Sequence, residues 1–287
     1  MTEHVTAGDL DALLALHRAS VPGVSSLIAE EERMGRSNPA HYFSVGQSAL
    51  RLVKLGLLAS GKQPQSVRRI LDLPCGHGRV LRTLAAAFPH ATLTACDLLA
   101  DGVDFCAAHF GAVPVYSRPL PEPGLFPDAG AYDLIFVGSL MTHLDAHLWP
   151  VFCGLFEQLL APDGLLVLTT HGPFVAERMR RGETYGFEDR HAPEGTLPWS
   201  ESDGEALAGA CNRGMLHLLR EYERTGFGYL DDGSGVYGIT VSSPVWTLAQ
   251  FAPLPSLRVV SYLERGWDEH QDVVVLLKRP LIGPGGA

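Results

Sequence analysis

The chain has 287 residues, 46% of them apolar, and a formal net charge of −10 from 22 basic and 32 acidic side chains. That length accommodates one large α/β domain with a packed core and an added cap, and the acidic balance excludes a nonspecific nucleic-acid binder, whose affinity comes from clustered Lys and Arg displacing counterions. No run approaches the roughly 18 apolar residues that a spanning helix needs.

Met1 to Thr6 lack a basic region followed by an apolar block, so a cytoplasmic chain without membrane contact is expected. The five cysteines, Cys75, Cys96, Cys106, Cys153 and Cys211, are widely spaced and form no C-x-x-C pair. Free thiols are expected rather than a disulfide framework or a zinc site.

Leu10, Leu13, Leu14 and Leu16 predict a helix with one apolar face over 9–19. Ser37-Asn38-Pro39 breaks the chain, and a second helix is predicted over 45–59, stopping at Gly61. Together these make a helical preface, residues 1–62. Between them His41 to Gly46 place two aromatics beside a glycine, either anchoring the preface or closing over a ligand. Ile70, Leu71 and Leu73 form a strand that breaks at Pro74 to Gly78 before a helix from Arg79. Strands over 91–96, 113–116, 132–137 and 165–170 then alternate with helices over 101–110 and 147–160. That alternation predicts an α/β core, residues 63–171, with a mostly parallel sheet covered on both faces.

The rhythm changes over 172–256. Helices are expected over 174–181 and 206–225, then a hairpin with strands over 226–230 and 236–241, then a helix opened by Ser243 as N-cap and Pro244 at its first position. The segment is too long for a simple crossover and predicts a lid-like, substrate-shaping insertion after the fifth strand, without a core of its own. Residues 257–287 supply two last strands, over 257–263 and 272–277.

In such sheets ligands sit beyond the carboxyl ends of the strands, where Asp72 to Gly78, Asp97, Gly138, Ser139 and His171 would converge. Gly76 and Gly78 admit a ligand to the backbone, and the following helix offers unpaired N–H groups. A dinucleotide fingerprint needs a small third residue, but Leu81 stands there, and no P-loop pattern occurs. What remains is an acid before the glycines, Asp72, and a second acid ending the next strand, Asp97.

The pieces Asp72-Leu73-Pro74-Cys75-Gly76-His77-Gly78, Asp97, Tyr132 to Val137 and Leu160 to Leu168, in this order and spacing, resemble the class I S-adenosylmethionine-dependent methyltransferases. The likeness covers 70–171, and 257–278 fits the last two strands. It implies a seven-stranded, mostly parallel Rossmann-like sheet with helices on both faces and S-adenosylmethionine as cofactor. It further implies Asp72 near the methionine ammonium, Gly76 and Gly78 against the cofactor, and Asp97 accepting from both ribose hydroxyls. Pro74, Cys75, Leu98, Ser117, Gly138, Ser139 and His143 complete the cofactor set. Two departures stand out: Pro74 replaces a usual glycine, and Ser117-Arg118 lie where many relatives carry an acid for the adenine amino group.

The implied reaction is in-line displacement of the methyl group by an acceptor atom. Candidate general bases are His171, which directly follows the fifth strand, then His143 and His270, since histidine accepts protons near neutral pH. His143 and His147 lack the glutamate of a zinc-protease helix, Leu144 standing there, and have no third ligand, so no metal is expected. Trp267, His270 and Gln271 form a polar-aromatic cluster that could line an acceptor pocket. Gly138 to His143 replace the Asn/Asp-Pro-Pro-aromatic run of base-flipping methyltransferases, which points to a small molecule, a saccharide or a protein side chain as acceptor. The competing readings are a non-catalytic cofactor-binding protein of the same fold and a nicotinamide-dependent oxidoreductase, the latter disfavoured by Leu81. Oligomeric state has no signature.

Overall fold

The computed structural model describes residues 21–32, 34–35, 38–183, 185, 213–233 and 237–279. The helix expected over 9–19, the start of the one expected over 206–225, and Cys211 lie outside them. Helix α1, Pro39–Ser60, begins six residues before its expected start, because the supposed chain break is a cap: the Asn38 side chain accepts from the His41 N–H at 3.1 Å and Pro39 opens the helix. It ends at Gly61 in the left-handed region (φ 71°), as expected. His41 to Gly46 are therefore helical.

The sheet is built from β1 (Arg69–Asp72), β2 (Thr92–Asp97), β3 (Val113–Tyr116), β4 (Tyr132–Val137), β5 (Leu160–Thr170), β8 (Leu257–Trp267) and β9 (Gln271–Lys278). Its order is β3-β2-β1-β4-β5-β9-β8. β1 to β5 pair in parallel, and β9 runs antiparallel to both β5 and β8. β5 starts at Leu160 and runs through Pro162-Asp163-Gly164, where a turn was expected, and its pairing with β4 shifts register near Tyr132.

Alternation along the strands divides the core in two. Ile70, Leu134, Val167, Val273 and Val275 face one layer with α1, α2 (Leu81–Ala87) and α3 (Ala100–Phe110). Leu71, Ile135, Leu166, Leu168, Val274 and Leu276 face the other, with α4 (Trp149–Leu159). The helices α5 (Pro173–Arg180), α6 (Arg213–Thr225) and α7 (Pro244–Ala249) and a hairpin of β6 (Phe227–Asp231) and β7 (Gly238–Ser242) follow β5. Ser243 caps α7 as expected, accepting from the Trp246 N–H at 3.2 Å. Contrary to expectation, this region has a small core of its own, with Val175, Met179, Met215, Leu218, Ile239 and Val241 all buried. Only the tertiary arrangement shows that the apolar faces of α5 and α6 meet each other and β7.

Cys75, Cys96, Cys106 and Cys153 are buried free thiols. No helix among the described residues is long and apolar enough to cross a membrane, and no group of three or more His, Cys, Asp or Glu among them could hold a metal ion.

Gly102 shows how tightly α3 sits on the glycine turn, since a Cβ there would lie 2.5 Å from the Gly76 carbonyl oxygen. Alanine normally stabilises a helix interior relative to glycine by about 1 kcal/mol. Gly102→Ala is expected to reverse that sign and cost about 2 kcal/mol through backbone overlap, whereas Gly154→Ala in α4, where the Cβ meets nothing within 4 Å, is expected to gain about 1 kcal/mol. Urea unfolding of the pair checks this, and equal signs would refute the packing argument.

Candidate functional site

Asp72 ends β1 at 1% exposure, and its Oδ2 has no hydrogen-bond partner among the described residues. Burial first, then the neighbouring Asp97 carboxylate, pushes its carboxyl well above the usual range. The turn that follows contains a cis Leu73–Pro74 peptide and is stitched by Cys75 N–H to Cys96 O at 3.0 Å and Gly78 N–H to Cys75 O at 2.9 Å. Asp97, at the end of β2, accepts from the Gly76 N–H at 2.7 Å through Oδ2 and from the Leu99 N–H at 3.0 Å through Oδ1. It therefore clamps the turn, a role the sequence reading did not foresee.

Gly76 lies at φ +48° with open space where a Cβ would project, while a Cβ on Gly78 (φ +74°) would overlap the Phe110 ring. Each glycine is required, one by conformation and the other also by packing. Leu98 and Leu99 beside Asp97 are 61% and 55% exposed, which leaves apolar surface at the mouth of the turn. Ser117, after β3, donates its N–H to the Asp97 carbonyl at 2.8 Å and its hydroxyl to the Arg118 carbonyl.

At the ends of β4 and β5 the hairpin changes the meaning of two expected histidines. Strand β7 lies across this edge, with N–H groups of Gly238, Thr240 and Ser242 donating to the carbonyls of His143, Thr142 and His171 at 2.8–3.1 Å. In return His143 Nδ1–H donates to Gly238 O at 2.7 Å and His171 Nδ1–H to Thr240 O at 3.1 Å. His143 Nε2 accepts from the Tyr237 hydroxyl at 3.1 Å, and the two rings stack at 4.3 Å. Burial lowers the basicity of both. For His171 the neighbouring His143 and His270 add to it, and its pKa falls to about 3. These histidines bolt the hairpin onto the sheet.

His270 differs. It precedes β9, packs edge-on against His171 (5.9 Å) and Phe174 (5.9 Å), and its ring makes no hydrogen bond among the described residues. Burial lowers its basicity, as does the charge of Arg178. It lines a cavity of about 60 Å³ with Val45, Arg79, Ser139, Trp267, Asp268 and Gln271. The sequence-predicted cluster of Trp267, His270 and Gln271 thus does share a pocket. Trp267 donates from Nε1 to the Val45 carbonyl at 3.1 Å, which fixes α1 against the sheet edge, and its ring faces Gly138, where a Cβ would come within 2.9 Å of it.

Arg82 was not recognisable from sequence. It sits in α2 at 1% exposure, donating from Nε to Gly78 O at 2.9 Å and from Nη2 to His77 O at 3.0 Å and the Tyr42 hydroxyl at 3.1 Å. Its Nη1 donates to the carbonyls of Ser25 and Leu27. Tyr42 in turn donates to the buried Glu32 at 3.3 Å. One guanidinium therefore joins the glycine turn, α1 and the segment before it. No spacing signals such a residue, because an arginine in a helix usually marks a solvated face.

The fold and this crevice define a methyl-transfer type of α/β protein, and comparison with known proteins agrees. The model of the methyltransferase-domain family matches residues 46–213, and the chain belongs to that family, among the class I S-adenosylmethionine-dependent methyltransferases. Its cofactor is S-adenosylmethionine. A fatty-acid O-methyltransferase of Mycolicibacterium smegmatis is 32% identical over 114 residues, 37% of this chain and only 38% of that protein. In fold the chain is similar to a protein from Pyrococcus horikoshii OT3 (TM-score 0.51, 11% identity, 86% of this chain and 99% of the other). It is also similar to an S-adenosylmethionine-dependent methyltransferase from Leishmania major (TM-score 0.50, 13% identity, 97% and 87%).

Proposed function

We propose that the chain moves the methyl group of S-adenosylmethionine to a small-molecule or saccharide acceptor by in-line displacement. The observation that supports this most is the pair of acids at the ends of β1 and β2: a buried Asp72 with an unpartnered oxygen, and Asp97 clamping the open glycine turn. A buried carboxylate with one oxygen unpartnered is costly, and a ligand ammonium beside it relieves that cost. Asp97 has lone pairs left beyond its two backbone donors, which suits the ribose hydroxyls. Gly76 and Gly78 lie against the cofactor with Pro74 and Cys75, the exposed Leu98 offers an apolar face to the adenine, and Ser117, Gly138, Ser139 and His143 border it. When bound, the cofactor supplies an electrophilic methyl group, and the residues here hold and align the acceptor, the main catalytic demand of such a displacement.

An acceptor hydroxyl must also lose a proton. Among the three histidines, His270 is the one with ring nitrogens left for that task, since His143 uses both of its own and His171 is held on Thr240 with very low basicity. The relative from M. smegmatis acts, by its name, on a fatty acid, which fits a small-molecule acceptor.

Titration calorimetry with S-adenosylmethionine and S-adenosylhomocysteine tests the reading. Saturable binding at micromolar concentration is expected for both, with no response to NADH. No heat at millimolar ligand would sink it.

A further inference from the structure

The 60 Å³ cavity shares only Ser139, His270 and its neighbours with the expected site, and no residue of the Asp72–Gly78 turn nor Asp97 lines it. A half-open cavity of that size accommodates a group of a few heavy atoms. It is a subsite for one end of a ligand.

Its polarity follows from two sets of side chains. The first is a closed circuit of hydrogen bonds. Ser139 N–H donates to Thr169 Oγ1 at 2.8 Å, so the Thr169 hydroxyl sends its proton to Gln271 Oε1 at 2.6 Å, and Gln271 Nε2 donates to Ser139 Oγ at 2.8 Å. The Ser139 oxygen therefore receives, and its own proton, which has no acceptor among the described residues, is left to donate. Ser139 adopts φ 62°, which turns it into this position.

The second is Arg79. Its Nε is buried without a hydrogen-bond partner, its Nη1 reaches only the thioether of Met34 at 3.3 Å, and its guanidinium lies 5.5 Å from the Tyr42 ring centroid. Asp268 also lines the cavity; it pairs with His41 Nε2 at 2.8 Å, and its charge favours the Arg79 cation without a direct ion pair. A half-buried arginine with an unused N–H and no ion pair among the described residues is an incomplete bidentate site for a planar anion.

We propose that this cavity is a carboxylate-binding subsite whose donors are the Arg79 guanidinium and the Ser139 hydroxyl. The proposal rests on the methyltransferase reading and assigns the chemistry of one of its ligands. Two sources could present that group: the amino-acid end of the cofactor, or a carboxylic acid acceptor. In the second case the nucleophile is an oxygen that is already anionic at neutral pH. Its lone pair forms the O–CH3 bond as the S–CH3 bond breaks, the sulfonium leaves as a neutral thioether, and no proton needs to move. The low basicity of His143, His171 and His270 accords with such an acceptor.

The experiment measures binding to the wild type, Arg79→Met and Arg79→Lys by calorimetry, using S-adenosylhomocysteine, 5′-methylthioadenosine (which lacks the amino-acid end), and, on the homocysteine-loaded protein, octanoate against octanol and benzoate against benzyl alcohol. Methyl ester formation is followed in parallel. If the cofactor supplies the carboxylate, Arg79→Met weakens S-adenosylhomocysteine at least tenfold and leaves methylthioadenosine unchanged. If the acceptor supplies it, S-adenosylhomocysteine is unchanged while binding and methylation of the acids, not the alcohols, fall at least tenfold; Arg79→Lys recovers part of either loss and, having kept the charge, guards against simple misfolding. S-adenosylhomocysteine affinity within twofold of wild type, together with no Arg79-dependent binding or methylation of any acid, overturns the proposal. Failure of the wild type to bind S-adenosylhomocysteine at all removes the methyltransferase reading instead, so the two failures are distinguishable.

Discussion

Arg82→Met is expected to lower folding stability by about 4 kcal/mol, within the range for removing one member of a buried charged network, and to reduce Tm by roughly 10 °C in a chain of this size. Methionine fills much of the same volume, so the loss is polar. Five groups lose a donor at once: the carbonyls of Gly78, His77, Ser25 and Leu27, and the Tyr42 oxygen. The buried Glu32 also loses a neighbouring permanent cation, and His77, which stands 3.9 Å from Glu32 and 3.1 Å from Asp101, loses the bond that fixes its backbone. Arg82→Lys should restore only a minor part, because an ammonium cannot span a fork of carbonyls and a phenol while lying among the Tyr42, Phe43 and Phe110 rings. Thermal and urea unfolding without ligand measure the effect. A loss below about 1 kcal/mol would show that the network contributes nothing net.

For Asp97→Ala the expected result is a rise in the Kd of S-adenosylmethionine of roughly 100-fold, about 3 kcal/mol, from the loss of charge-assisted hydrogen bonds worth about 1.5–3 kcal/mol each. Two losses combine. The proposed ribose acceptor goes, and the Gly76 and Leu99 N–H groups are released, so the turn must be ordered by the ligand itself. Asp97→Asn separates the two, since an amide oxygen can still take the Leu99 N–H while its NH2 faces the Gly76 N–H donor to donor. Calorimetry on the three proteins decides the matter, and an unchanged affinity in Asp97→Ala would refute the cofactor role of this carboxylate. Both variants address the same loop from opposite sides: Arg82 holds its carbonyls from within the protein, and Asp97 holds its amide from the crevice.

Much of this was legible in the residues. The alternation of Ile70 with Leu71, and of Leu166 with Val167, reports a strand buried on both faces, and the order of strands and helices then leaves few sheet topologies. Gly61, Ser243-Pro244 and the acid-glycine turn are local signals and were read correctly. Asn38-Pro39 was read as a break because the same residues that interrupt a chain also begin a helix, and only the direction of the Asn38 side chain separates the two. The start of β5 at Leu160 was hidden by Pro162-Asp163-Gly164, since a strand can pass through such residues where its pairing shifts.

His171 and His143 illustrate a different limit. Their positions at the ends of β5 and β4 were foreseeable, but what each ring nitrogen touches depends on β7, about 70 and 95 residues further on.

By itself the sequence determined the fold class, the glycine turn after the first strand and the two acids that frame it, because each is a property of neighbouring residues: backbone freedom at glycine, side-chain period along a strand, a carboxylate at a strand end. Only the tertiary structure decided which histidine keeps an unused ring, that Arg82 is internal, and that Arg79 and Ser139 share a cavity with Gln271. Those facts depend on pairings between residues as much as 132 positions apart, and hydrogen-bond direction and burial at such pairings are set by packing rather than by any local pattern.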